Sequence, residues 1–173
     1  AFFDLATYTV SYVVWDPSTR DCALIDPVLD YDVKSGRTGT VSADRMADFV
    51  RQEGLGVKWL LDTHVHADHL TAAQYLKKEL GGRIAIGARV PLVQKTFHEI
   101  FHLGAGFEPN GRQFDLLLEE GQQLPLGTIN ITVMDVPGHT PACICYQVGD
   151  ACFVGDTMFM PDYGSARCDF PGG

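Results

Sequence analysis

No stretch of this chain is apolar for long enough to span a bilayer, so no membrane-crossing helix is expected. The start, Ala1-Phe2-Phe3-Asp4, lacks an initiator Met, a basic region and a long apolar core, so no secretory signal is expected there. Positive charge is scarce: 13 Lys and Arg face 22 Asp and Glu, a formal net charge of −9. That argues against a general nucleic-acid binder, which needs a basic surface to displace counterions from phosphates. A small anionic substrate stays open, because a few local Arg side chains can dominate one pocket. Cysteine is sparse, odd in number and without zinc-ribbon spacing: Cys22, Cys143, Cys145, Cys152 and Cys168. Free thiols in a reducing, cytoplasmic compartment are the simplest expectation. Internal repeats and low-complexity tracts are missing too.

The 173 residues suit a single domain over residues 1–173, and 46% hydrophobic with 20% charged residues is a globular composition. Residues 10–15 and 22–25 are β-rich runs around Asp16-Pro17-Ser18-Thr19, which predicts a hairpin. Residues 28–41 are polar and read as a loop. Ser42 then suits a helix cap, with Asp44 in the first turn, Met46, Phe49 and Val50 on one face, and Gly54 as the stop. Residues 57–61 suit a buried strand, 70–80 a helix stopped by Gly81-Gly82, 83–86 a strand, and 91–103 a helix. From Leu116 onward the pattern is β, with a turn at residues 125–127, strands at 129–136, 144–148 and 152–154, and a tight Gly149-Asp150 hairpin. This order suggests helices packed outside a β core, in an α/β or α+β arrangement.

Potential metal ligands crowd into Thr63-His64-Val65-His66-Ala67-Asp68-His69, directly after the expected buried strand. In a loop leaving a strand end, residues at i and i+2 can turn toward one point while Asp68 and His69 reach a second. Neutral imidazole and carboxylate suit zinc and ferrous iron. A polar loop whose histidines cap the next helix would explain a lone His, but poorly explains three with an Asp. His139 lies in Val136-Pro137-Gly138-His139-Thr140-Pro141, a turn stiffened by prolines, again after a strand. Asp156, in Phe153-Val154-Gly155-Asp156-Thr157, follows a third. Each of these two alone has an ordinary turn reading; the recurrence of ligand types at separate strand ends is what points to a site. His98 and His102, one turn apart on an expected helix, read as helix-face residues.

Thr-His-x-His-x-Asp-His, Pro-Gly-His-Thr and Gly-Asp-Thr together resemble the signature of the metallo-β-lactamase superfamily, over the whole chain. The resemblance implies the α+β class, an αββα four-layer sandwich of which this chain would hold all but the C-terminal part. Two branches compete. A glyoxalase II-like hydrolase of glutathione thioesters would hold two zinc ions: one on His64, His66 and His139, the other on Asp68, His69 and a later His, with Asp156 bridging. No His follows His139 in this chain.

Met160-Pro161-Asp162-Tyr163-Gly164-Ser165-Ala166-Arg167-Cys168-Asp169-Phe170-Pro171-Gly172-Gly173 is similar to the bacterial β-lactamase-like proteins of sulfide detoxification, and so is Asp26-Pro27-Val28-Leu29-Asp30-Tyr31-Asp32. These belong with the persulfide dioxygenases, also called sulfur dioxygenases. The resemblance then implies one Fe(II) per chain on His64, His139 and Asp156, with zinc, one or two ions, as the alternative metal. Two His and one carboxylate form the facial triad that leaves positions open for substrate and O₂. The activity implied is oxidation of glutathione persulfide, or a similar small persulfide, to sulfite and thiol. His66, Asp68 and His69 would orient ligands and tune the iron. Arg167 would pair with a substrate carboxylate or, as loop scaffolding, with Asp169. The expected partners are a small thiol or persulfide and O₂, with neither nucleic acid nor membrane; the resemblance also allows a homodimer. A non-catalytic metal-binding or redox-sensing fragment is a third reading.

Overall fold

The computed structural model describes residues 1–166, so the expectation for Cys168 lies outside the described residues. The chain separates into two compact units: Ala1–Asp62, His66–Ile84 and Pro125–Asn130 form the first, and Thr63–Val65, Ala85–Leu124 and the chain from Ile131 onward form the second.

In the first unit β1 (Phe2–Phe3), β2 (Val10–Trp15) and β3 (Asp21–Ile25) pair antiparallel, and the expected hairpin sets Tyr12 opposite Ile25 and Trp15 opposite Cys22. Residues 28–41 correct the loop expectation: β4 (Val28–Asp32) and β5 (Arg37–Gly39) pair antiparallel. Their connection is built by Asp32, whose carboxylate accepts from the Lys34 amide and the Ser35 hydroxyl, and by Gly36 at φ +67°. Polar composition hid this ribbon because turn chemistry, not apolar alternation, specifies it.

Helix α1 (Val41–Gln52) starts earlier than expected, with Thr40 rather than Ser42 at its N-cap. The Ser42 amide instead donates to the Asp30 carboxylate, at 3.2 Å to its nearer oxygen. Ala43, Met46, Ala47 and Val50 form the buried stripe, at the i, i+3, i+4, i+7 spacing of one helix face. β6 (Gly56–Leu61) runs parallel to β3. Ala23, Leu24, Ile25, Leu60 and Leu61 are fully buried, which explains why both strands read as unbroken apolar runs rather than alternating ones.

β7 (Leu70–Thr71) corrects the start of the next helix: these two residues pair with Leu29 and Val28 of β4, and α2 (Ala73–Leu80) begins after them. β8 (Arg83–Gly87) then completes the row β1-β2-β3-β6-β8.

In the second unit the end of β8 pairs parallel with β9 (Leu116–Leu118), Ala85 facing Leu116. Between them α3 (Val90–Ile100) buries Val90 and Val93 and stops short of His102. The sheet β10 (Gln123–Leu126), β11 (Ile129–Asp135), β12 (Ile144–Val148) and β13 (Ala151–Phe153) lies in that order. Val148 opposite Ala151 closes the expected two-residue hairpin. A 3₁₀ turn, Gly155–Thr157, follows β13.

Candidate metal centre

Three short segments of the second unit converge on one point. The first is Thr63-His64, whose Thr63 carbonyl accepts from the Ile144 amide at 3.0 Å and so is tied to the start of β12. His64 is 1% exposed, and its Nδ1 lies 3.0 Å from the Thr63 hydroxyl. The second is the turn Pro137-Gly138-His139-Thr140, closed by Gly138 N–H to the Thr140 carbonyl at 3.1 Å. The third is the 3₁₀ turn carrying Asp156. Gly155 has φ +54°, and a Cβ there would sit 2.4 Å from the Thr63 hydroxyl and 3.3 Å from His64 Nδ1, so only glycine lets this turn lie against the histidine.

Asp156 Oδ2 is 3.7 Å from His64 Nε2 and 3.6 Å from His139 Nε2. The two imidazoles meet edge to face, with ring centroids 4.9 Å apart. These separations exceed hydrogen bonds but approach the spacing of ligands around one ion: two atoms each about 2.1 Å from a metal lie roughly 3.4 Å apart in tetrahedral geometry. His64 and His139 have their Nδ1 atoms next to the hydroxyls of Thr63 and Ser165, at 3.0 Å each, and aim Nε2 at the common point. Donor chemistry, spacing and orientation therefore fit a divalent ion. His139 and Asp156 keep 25% and 30% side-chain exposure, which leaves an approach from solvent.

The first unit holds His66, Asp68 and His69 as a second group of ligand atoms within 4.8 Å of one another. His69 Nδ1 meets Asp68 Oδ2 at 3.3 Å and the Thr9 hydroxyl at 3.3 Å, whereas its Nε2 is buried with no hydrogen-bond partner among the described residues. The His69 hydrogen bond holds the Asp68 carboxyl well below the usual carboxylate range. His66 Nε2 lies 3.0 Å from Asp26 Oδ1, and both side chains are buried. Burial works against a charged His66, but the facing Asp26, helped by Asp62 and Asp68, outweighs it and lifts the imidazolium to about 9. Burial pushes Asp62 up to about 7, while Thr71 donates to it at 2.9 Å.

The structure thus gathers His64, His139 and Asp156 in one group and His66, Asp68 and His69 in another, and Arg167 lies outside the described residues. Three residues of these surroundings were not singled out from sequence. Asp26 reads there as the polar end of a strand before Pro27, yet it is buried at φ +50°, held by its amide to the Leu61 carbonyl and by the Ser11 hydroxyl on its own carbonyl. Asp62 is a carboxylate directly after the apolar run Trp59-Leu60-Leu61, a signal that was available. Ser165 had none beyond its place in a turn-rich segment. His98, as expected, is an ordinary helix residue, stacked on Phe107.

The metallo-beta-lactamase superfamily model matches residues 5–173. A probable metallo-hydrolase of Burkholderia pseudomallei is 56% identical over 99% of this chain and 62% of its own length. The mitochondrial persulfide dioxygenase ETHE1 of Homo sapiens is 28% identical over 99% of this chain and 56% of its own. The crystal structure of ETHE1 from Myxococcus xanthus superposes with a TM-score of 0.68 at 27% identity, covering 96% of this chain and 62% of that one. The chain therefore spans about 60% of the length of these proteins. Among the described residues no helix is long and apolar enough to cross a membrane. Candidate ligands at strand ends, mixed α/β architecture and a family match over nearly the whole length lead to one conclusion: this chain belongs to the metallo-β-lactamase superfamily.

Proposed function

We propose that this chain carries the metal centre of a mononuclear iron(II) dioxygenase acting on small persulfides, glutathione persulfide foremost. The balanced reaction is RSSH + O₂ + H₂O → RSH + SO₃²⁻ + 2 H⁺, in which the terminal sulfur is oxidised and O₂ reduced. The carrying observation is the composition of the second unit's ligand group, two imidazoles and one carboxylate. Iron(II) on such a triad supplies one-electron chemistry and keeps positions open for substrate and O₂. The protein's own part is to hold the donors still: the Thr63 and Ser165 hydroxyls orient the rings, and His64 is buried beside a backbone bond from Ile144 to Thr63. The half-open side at His139 and Asp156 admits a small thiol compound. In this reading His66, bonded to Asp26, supports the loop rather than binding the ion.

A second reading is a binuclear zinc hydrolase of glutathione thioesters. It is favoured by the buried, unpartnered His69 Nε2 beside Asp68 and His66, which suits a second ion. Elemental analysis of protein purified without added metal separates the two. The expected result is one iron per chain together with O₂ uptake on addition of glutathione persulfide. Two zinc ions per chain, with S-lactoylglutathione hydrolysed and no O₂ consumed, would establish the hydrolase instead. Metal binding without turnover of either substrate would leave a non-catalytic metal-binding role.

A further inference from the structure

Ser165 sits where two ligand-bearing segments meet. Its amide donates to the Asp156 carbonyl at 2.9 Å, its hydroxyl lies 2.8 Å from that same carbonyl, and His139 Nδ1 lies 3.0 Å from the hydroxyl oxygen. A serine hydroxyl has one proton, and a peptide carbonyl can only accept. The contact to Asp156 therefore uses the serine proton, and the contact to His139 is satisfied only if the imidazole donates. Neutral His139 then carries its proton on Nδ1 and presents the bare Nε2 lone pair on the side of Asp156 Oδ2.

The local sequence delivers this serine. Pro161 and Asp162 make the bend of a tight loop, in which Met160 and Tyr163 form an isolated bridge and the Phe159 amide donates to the Tyr163 carbonyl at 2.9 Å. The returning segment passes so close that a Cβ on Gly164 would clash with the Thr157 carbonyl oxygen and lie 2.8 Å from Met158 Cα. On the far side, a Cβ on Gly138 would lie 3.3 Å from Ala166 Cα, so the same segment also presses on the His139 turn. Ser165 is wedged between the two.

We propose that Ser165 is a positioning residue of the metal centre, whose hydroxyl couples the His139 ring to the Asp156 backbone and sets the imidazole tautomer that can bind an ion. The proposal rests on His139 and Asp156 being ligands, a point common to the iron and zinc readings. Partners of this kind typically change metal affinity about 10- to 100-fold when removed. Ser165→Ala deletes only the hydroxyl and keeps the amide bond to Asp156; Ser165→Thr keeps the hydroxyl.

Two readouts test it on the metal-stripped protein. Zinc affinity is measured by chelator competition, and the protonation site of His139 is read from long-range ¹H–¹⁵N NMR couplings, assigned with His139→Ala. The expected wild-type ring is the Nδ1–H form. Ser165→Ala should bind zinc about 10- to 100-fold more weakly and shift His139 toward the Nε2–H form, and Ser165→Thr should restore both. An Nδ1–H ring in Ser165→Ala, wild-type zinc affinity in that variant, or a loss that Ser165→Thr does not reverse, would each overturn the proposal. If wild type takes up no zinc, or His139→Ala binds it as tightly, the ligand assignment has failed instead; the tautomer, read without metal, still judges Ser165.

Discussion

His69 and His66 show how differently neighbouring imidazoles can be held. His66 is buried against Asp26, a charged pair whose separation would leave one member without compensation, whereas His69 has its Nδ1 engaged and its Nε2 bare. Asp68, beside His69, is the residue on which the two functional readings disagree most directly. If Asp68 only orients the loop, Asp68→Ala lowers turnover and leaves one metal per chain by elemental analysis. A drop in metal stoichiometry in that variant would mark Asp68 as a ligand and favour two ions. Two of the cysteines belong to packing rather than to this chemistry. Cys22 and Cys145 are buried, and burial pushes each thiol up to about 12, so both stay protonated and unreactive near neutrality.

Among the elements, the short connections after strands matter more to the site than the strands themselves. β6, β11 and β13 end three or four residues before His64, His139 and Asp156, and the connection after β13 uses backbone that a larger residue could not copy. Gly155 shows this best, since its positive φ and its closeness to Thr63 and His64 both demand glycine. Gly155→Ala should destabilise the protein by about 1–3 kcal/mol in denaturant unfolding and also weaken metal uptake. Gly104 lies in a loop with nothing within 4 Å of its Cβ position, so Gly104→Ala should leave both measurements unchanged. Equal losses in the two variants would remove the case for a special backbone at Gly155.

Over the whole chain, long-range closure also depends on a carboxylate outside both groups of candidate ligands. Asp16, in the β2–β3 turn, accepts from the Thr128 amide at 2.5 Å and the Thr128 hydroxyl at 2.8 Å, across 112 residues of sequence. Those bonds, the Thr128 amide first and the Ser18 amide next, hold its carboxyl well below the ordinary 3.8. The folded state thus binds this proton less readily than the unfolded one. Its contribution is fully present above pH 3.8 and is lost as the pH falls toward the lower folded value. Asp16→Asn should therefore lower the melting temperature at neutral pH, and its gap to wild type should narrow on acidification below about pH 4. A gap that stays constant down to pH 2 would show that the charge contributes nothing.

Local pattern was enough for much of this protein. Apolar runs marked β3 and β6, helical spacing marked α1, and a Gly-Asp pair marked the β12–β13 hairpin, because each of these is specified by residues close together in the chain. The ligand types at His64, His139 and Asp156 were legible for the same reason: strand, turn and ligand are adjacent in sequence. The β4–β5 ribbon was not, since its polar turn bonds resemble those of any loop, and neither was the pairing of Leu70 and Thr71 with β4, which is a partnership made across about 40 residues. Tertiary structure alone decided which candidate ligands share a point. It gave His66 the Asp26 carboxylate as a partner, and it brought Ser165 between His139 and Asp156. Sequence determines which atoms can bind a metal; only the fold sets the few-ångström separations, and the hydrogen bonds on the other ring nitrogens, that turn donors into a site.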